Sequence, residues 1–327
     1  MQRKIILSVL IFLVGFSCKK AGQESVRQES IQVFVPVFNA DSAYQYTADQ
    51  IAFGPRVPNT QAHNDCGNYL TKQLREFGAE VIEQETTLYL QNRTPIQIKN
   101  IIGSFMPEKK QRILLFAHWD TRPYADQDPD PKNWNTPIDG ANDGAGSCAV
   151  LLEIARQIGM NSPELGIDII FFDAEDWGEP AFPDKTKNYG NWCMGSEYWS
   201  KHPHIPGYTA RYGILLDMVS APGAIFYKEH YSAQSASFVL RKVWETGQGL
   251  GYANYFQNQA IGAIEDDHIQ VIRNRKIPSI DIIHLDPTTN HGFGWYWHTL
   301  EDNLSNVSKE TMQACGQTVL TVIYNEK

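Results

Sequence analysis

Residues 167–176 read IDIIFFDAED, and this stretch decides the fold. Ile167 to Phe172 is an apolar run broken only by Asp168, the pattern of a strand buried on both faces. Tyr212 to Asp217 (YGILLD) and Ser279 to Leu285 (SIDIIHL) read the same way. Working outward, β-like runs fall at 79–90, 97–104 and 112–118. Helical spacing predicts helices over 41–53, 63–78, Gly144 to Ile158, 232–247 and 307–324. In the second, Tyr69, Leu70, Leu74 and Phe77 share a face. In the third, Val150, Leu151, Ile154 and Ile158 do. Strands alternating with helices predict an α/β sandwich. Its central mixed, mostly parallel twisted sheet is flanked by helices. No linker interrupts 36–327, so those residues are expected to form a single domain.

The buried-type strands end in polar residues. Phe116-Ala117 runs into His118-Trp119-Asp120. The run at 167–172 ends in Asp173, with Glu175 and Asp176 beyond, and the run at 213–216 ends in Asp217. One aspartate after a strand is usually a turn or cap. Several at comparable ends point to one shared site, because ligands of open α/β sheets bind outside the carboxyl ends of the strands.

Composition excludes other classes. The 327 residues carry 28 Lys+Arg against 37 Asp+Glu, and that acidic balance argues against a nucleic-acid partner. Five scattered cysteines do not make a disulfide scaffold. The N-terminus looks like a targeting signal. Arg3 and Lys4 precede an apolar core, Ile5 to Phe16, too short to span a bilayer comfortably. The core ends in Gly-Phe-Ser-Cys, which resembles a bacterial lipoprotein cleavage site. The expectation is a signal peptide over 1–17 and a lipid on Cys18. A polar tether over 18–35 would then hold an exported protein to a membrane of the cell envelope.

The chemistry-bearing segments are His118-Trp119-Asp120, Asn142-Asp143-Gly144, Asp173 to Asp176, Asp217, Glu265 to His268 and Trp297-His298-Thr299. Carboxylates with imidazole and no thiolate suit Zn²⁺ in a catalytic site. Adjacent Glu175 and Asp176 repel each other if both are buried and free. One is therefore expected to bind metal and the other to act as a base.

The ordered series HWD, AND, FFDAED, LLD, IEDDH and WHT resembles the zinc-dependent aminopeptidase-type family, which includes the animal and bacterial glutaminyl cyclases. The resemblance runs from about residue 40 to the C-terminus and implies a single α/β domain. It carries two chemistries. Aminopeptidases of this type bind two zinc ions, which by match would use His118, Asp143, Asp176, Asp217 and His298, with Asp143 bridging. The cyclases bind one, by match on Asp143, Asp176 and His298. Ile264 to His268, Trp297 before His298, Phe293 four residues earlier, and Glu301-Asp302-Asn303 after it all resemble the cyclase pattern.

The cyclase resemblance implies a substrate with N-terminal glutamine, one Zn²⁺ per chain, and release of ammonia as pyroglutamate forms. It implies Glu175 as proton carrier with Asp217 and Asp266 as its partners, and Trp297, Phe293 and Trp192 as pocket walls. His118 and Asp120 are then supporting residues. Two alternatives stay open: a two-zinc aminopeptidase, and a lipoprotein that binds peptides without turnover. Animal cyclases pair a cysteine near the matched Cys148 with one just before the matched His118. Ala117 fills that second place here, so Cys66, Cys148, Cys193 and Cys315 are expected to be buried free thiols.

Overall fold

In chain order the structure begins α1 (Ala40–Ile51), α2 (Gln61–Glu76), β1 (Glu80–Tyr89), β2 (Pro95–Phe105), β3 (Arg112–His118), α3 (Ser147–Met160), β4 (Gly166–Phe172) and α4 (Met194–Lys201). It continues β5 (Gly213–Asp217), β6 (Phe226–Lys228), α5 (His230–Gly249), β7 (Phe256–Ala260), α6 (Asp267–Gln270), β8 (Ser279–Ile283) and α7 (Lys309–Tyr324). This computed structural model describes residues 33–182 and 189–327. The expected signal peptide, Cys18 and most of the expected tether lie outside the described residues. Phe34–Lys327 forms one compact unit.

Six strands make one sheet in the order β1-β2-β4-β3-β5-β8. β1 and β2 pair antiparallel, as do β2 and β4, while β4, β3, β5 and β8 are mutually parallel. Every residue of those four parallel strands is buried, which is why they read as mainly apolar runs without a polar face. β1, at the edge, shows no fully buried position. Helices α2, α3, α4 and α5 pack on the sheet. Asp168, the one charge inside the run at 167–172, is matched in place. Arg112 donates to its two oxygens at 2.6 and 2.7 Å, and the Tyr208 hydroxyl donates at 2.7 Å.

Because β3, β4, β5 and β8 run the same way, their carboxyl ends share one edge of the sheet. That edge carries His118, the 173–176 turn and Asp217. The expected elements form with shifts of a few residues at their ends. The largest change concerns the helix expected from Gly144. A wide turn over 141–146 comes first, α3 begins at Ser147, and Asp143 has a non-helical backbone. α4 and the two-stranded pair β6-β7 had no counterpart in the sequence reading.

Candidate metal centre and substrate cavity

Asp143 is placed by its loop, not by a helix cap. The Asp302 carboxylate accepts from the Asn142 N–H at 2.7 Å and the Asp143 N–H at 3.1 Å, fixing the backbone. Asn142 in turn accepts from Ser220 N–H and Oγ at 2.8 and 2.6 Å, tying the loop to the end of β5. The Asp143 side chain is thereby delivered between two histidines. His118 Nε2 lies 2.9 Å from its Oδ1, and His298 Nε2 lies 3.7 Å from its Oδ2.

Two sets of potential ligands result, each with its donor atoms within 4.8 Å of one another: His118, Asp143 and Asp217, and Asp143, Asp176 and His298. All five residues are buried. In the second set His298 Nε2 lies 3.1 Å from Asp176 Oδ1, yet neither Asp176 oxygen accepts a well-aligned hydrogen bond among the described residues. The Arg122 guanidinium lies 3.8 Å from Oδ1, beyond hydrogen-bond reach, so both oxygens stay open toward an imidazole and a second carboxylate, a cost that a bound metal cation would relieve. One N and two O donors fit a zinc site with room for a further ligand. In the first set His118 Nε2 already bonds Asp143, while Asp217 Oδ1, 3.4 Å from the same nitrogen, accepts no well-aligned hydrogen bond among the described residues.

Supporting groups orient this centre. Asp126 Oδ1 sits 3.2 Å from His298 Nδ1, leaving Nε2 directed at Asp176. The buried Arg122 guanidinium grips Asp126 at 3.2 and 2.8 Å and donates to the Asp176 carbonyl at 3.0 Å. Burial works against the Asp126 anion, but His298 and Arg122 hold its carboxyl well below the usual range. Asp120 accepts from the Glu175 and Asp176 N–H groups at 3.0 and 3.3 Å and so shapes the acid turn. Sequence reasoning missed Arg122 and Asp126. Their four-residue spacing in a Pro- and Asp-rich loop is indistinguishable from ordinary loop polarity. Asp173 turns away from the centre and accepts from the Lys99 N–H and from His63.

A cavity of about 270 Å³ opens onto the centre. Glu175, Asp217 and Asp266 line it beside Asp143, Asp176 and His298. Trp192, Phe293 and Trp297 line it as well. Trp297 stacks on His298 with ring centroids 3.7 Å apart, and Phe293 packs on Trp297 at 4.6 Å. Trp192 stacks against His298 and under the Arg122 guanidinium. Burial pushes the Glu175 carboxyl well above its ordinary value, and repulsion from Asp176, Asp266 and Asp267 adds to it while His118 opposes. Asp176 is raised to about 6 by burial and by Asp143. Asp266 and Asp217 are raised too, again chiefly by burial. Ala174, Met218 and His298 all have positive φ, so the backbone around the cavity is strained. Asp266 caps α6 by accepting from the Asp267 N–H and still reaches the cavity. His268 pairs with Glu229 and His284 with Tyr296, so neither imidazole lines the cavity. Cys66, Cys148, Cys193 and Cys315 are free and buried, and Cys148 donates to the His118 carbonyl.

The model of peptidase family M28 matches residues 100–323. A zinc-dependent exopeptidase from Parabacteroides distasonis superposes with a TM-score of 0.86 at 56% identity, over 90% of this chain and 100% of that one. A glutaminyl cyclase from Tannerella forsythia superposes with a TM-score of 0.86 at 54% identity, over 89% of this chain and 100% of that one. The glutaminyl-peptide cyclotransferase of Bos taurus is 27% identical over 288 residues, covering 79% of this chain and 74% of that protein.

Proposed function

This chain belongs to peptidase family M28, and we propose that within it the protein is a zinc-dependent glutaminyl-peptide cyclotransferase. It converts the N-terminal glutamine of peptides to pyroglutamate and releases ammonia. The observation that carries this reading is the cavity itself. Glu175, with Asp266 within 4.8 Å of it, shares a small aromatic-walled space with the Asp143–Asp176–His298 set. The resemblance to the cyclases of Tannerella forsythia and Bos taurus supports it.

Asp143, Asp176 and His298 would hold one zinc ion. When bound, zinc supplies a Lewis acid that polarises the γ-carboxamide carbonyl of the substrate. Everything else falls to the chain's own residues. Trp297, Phe293 and Trp192 wall the space for the short side chain and hold it folded toward the substrate's own amine, which is then the nucleophile at hand. Glu175 takes a proton from that α-amine as the nitrogen bonds to the carbonyl carbon of the side-chain carboxamide. It then returns the proton to the side-chain nitrogen as the carbon–nitrogen bond breaks and ammonia departs. A base that must also act as an acid needs an affinity for protons above that of a free carboxylate. Burial and the surrounding acids raise Glu175 in that direction.

The test is ammonia release from a Gln-initiated peptide by the zinc-loaded protein, beside release of free amino acid from Leu- and Lys-initiated peptides. Ammonia without amino-acid release is expected. Amino-acid release with no ammonia would make the protein an aminopeptidase instead.

Asp126 gives a second expected result. Asp126→Asn keeps the shape but removes the anion behind His298. Zinc affinity should fall by about 10–100-fold, the usual cost of losing such a partner. Competition with a chromophoric chelator measures it, and unchanged affinity would deny Asp126 that role.

A further inference from the structure

Cys193 is the one of the four described cysteines that reaches the cavity's chemistry. Its Sγ lies 3.3 Å from Glu175 Oε1, and Glu175, Cys193 and Asp266 bring their polar atoms within 4.8 Å of one another. The side chain is 3% exposed. Its backbone is equally committed. Cys193 N–H donates to the Glu175 carbonyl at 2.9 Å, and Met194 N–H donates to the Ala174 carbonyl at 3.0 Å. Cys193 has φ +58° and Ala174 φ +52°, so both sides of this short pairing carry left-handed backbone. Gly195 completes the fit, since a Cβ there would meet the Asp173 carbonyl at 2.1 Å. The start of α4 is thus docked beneath the turn that carries Glu175, and it points a thiol at one of that carboxylate's two oxygens.

We infer that Cys193 is a positioning residue for Glu175: its thiol donates to Oε1 and leaves the other oxygen to face the substrate amine. This rests on the proposed role of Glu175 as proton carrier. A packing role alone asks only for a small apolar side chain, and valine or alanine would serve. An oriented donor is a different requirement, one that serine meets. Burial next to Glu175, Asp267 and Asp266 pushes the thiol well above its ordinary value, so it remains a donor and not a thiolate. The same burial makes it a poor nucleophile, so no covalent role is assigned to it.

Three variants of the full zinc-loaded protein separate these readings. Cys193→Ala and Cys193→Val should each lower kcat for a Gln-initiated peptide by about tenfold, the cost of a hydrogen bond to a charged group. KM should stay within about twofold, because the bond serves the reacting oxygen and not binding. Cys193→Ser should recover kcat to within about threefold of wild type, since the hydroxyl restores the donor. Melting temperature and zinc content are read on each variant. Equal kcat in all variants and wild type overturns the inference. So does a common loss in Ala, Val and Ser that tracks melting temperature, which would assign Cys193 to packing. A wild-type protein that releases amino acid and not ammonia refutes the cyclase reading alone. The same order of variants is then expected on that substrate, where Glu175 remains the base beside the metal.

Discussion

Replacing Glu175 with glutamine is expected to lower kcat for a Gln-initiated peptide by about 10³-fold while zinc stays bound, within the range that general acid–base catalysis contributes. The two side chains have nearly the same shape, and glutamine can still meet the Cys193 thiol. What it cannot do is take the amine proton and give it back. Zinc is expected to persist because the neighbouring acid faces the other way. Asp176 presents its carboxylate to His298, and its backbone is pinned by Asp120 and Arg122. Glu175 instead meets Cys193 and Asp266. The matching substitution, Asp176→Asn, should release the metal. Ammonia release and metal content, measured on both variants, check the assignment. If Glu175→Gln lost zinc and Asp176→Asn kept it, the ligand and the base would have to be exchanged. Retention of full turnover by Glu175→Gln would remove proton transfer from this residue altogether.

Much of this arrangement is written in the sequence for a physical reason. A strand covered on both faces is apolar at nearly every position, so IDIIFF, GILL and SIDII announce themselves despite one aspartate each in the first and last. Parallel strands bring their carboxyl ends to one edge, so the polar residues that follow are brought together as well. Asp143, Glu175, Asp176, Asp217, Asp266 and His298 all line one cavity. Trp192, Phe293 and Trp297 line it too, although aromatic residues usually signal only a core. Other parts were not legible. β7 reads FQNQA, with three exposed positions, so it has no apolar face to betray a strand. α4 is eight residues long and opens on a left-handed Cys193, where no standard capping residue marks its start. Asp126 and Cys193 act through contacts with residues 172 and 18 positions away. Such contacts depend on how the loops fold back, and no local spacing encodes them.

The count of zinc ions turns on two histidines. His298→Ala removes a nitrogen that faces the open oxygens of Asp176, and zinc affinity should fall by more than the roughly 10–100-fold that loss of a supporting group costs. His118→Ala should leave one zinc per chain in place. Its Nε2 is already engaged with Asp143 Oδ1 at 2.9 Å, with Asp217 Oδ1 at 3.4 Å and Asp120 behind it at 3.5 Å. In the single-zinc arrangement His118 therefore steadies Asp143 from the far side, and removing it should weaken zinc by no more than about 100-fold. Metal analysis of the dialysed wild type and both variants decides the matter. The expected contents are one, none and one after dialysis against a chelator too weak to strip the wild type. Two zinc ions in the wild type and one in each variant would mean that His118, Asp143 and Asp217 form a second metal site. Such a site can generate a hydroxide nucleophile, which peptide hydrolysis needs and cyclisation by the substrate's own amine does not. Asp143 cannot make this distinction, because it belongs to both sets and its loss lowers the zinc content under either reading. The histidines each belong to one, and so the pair separates a site built to cyclise from a site built to hydrolyse.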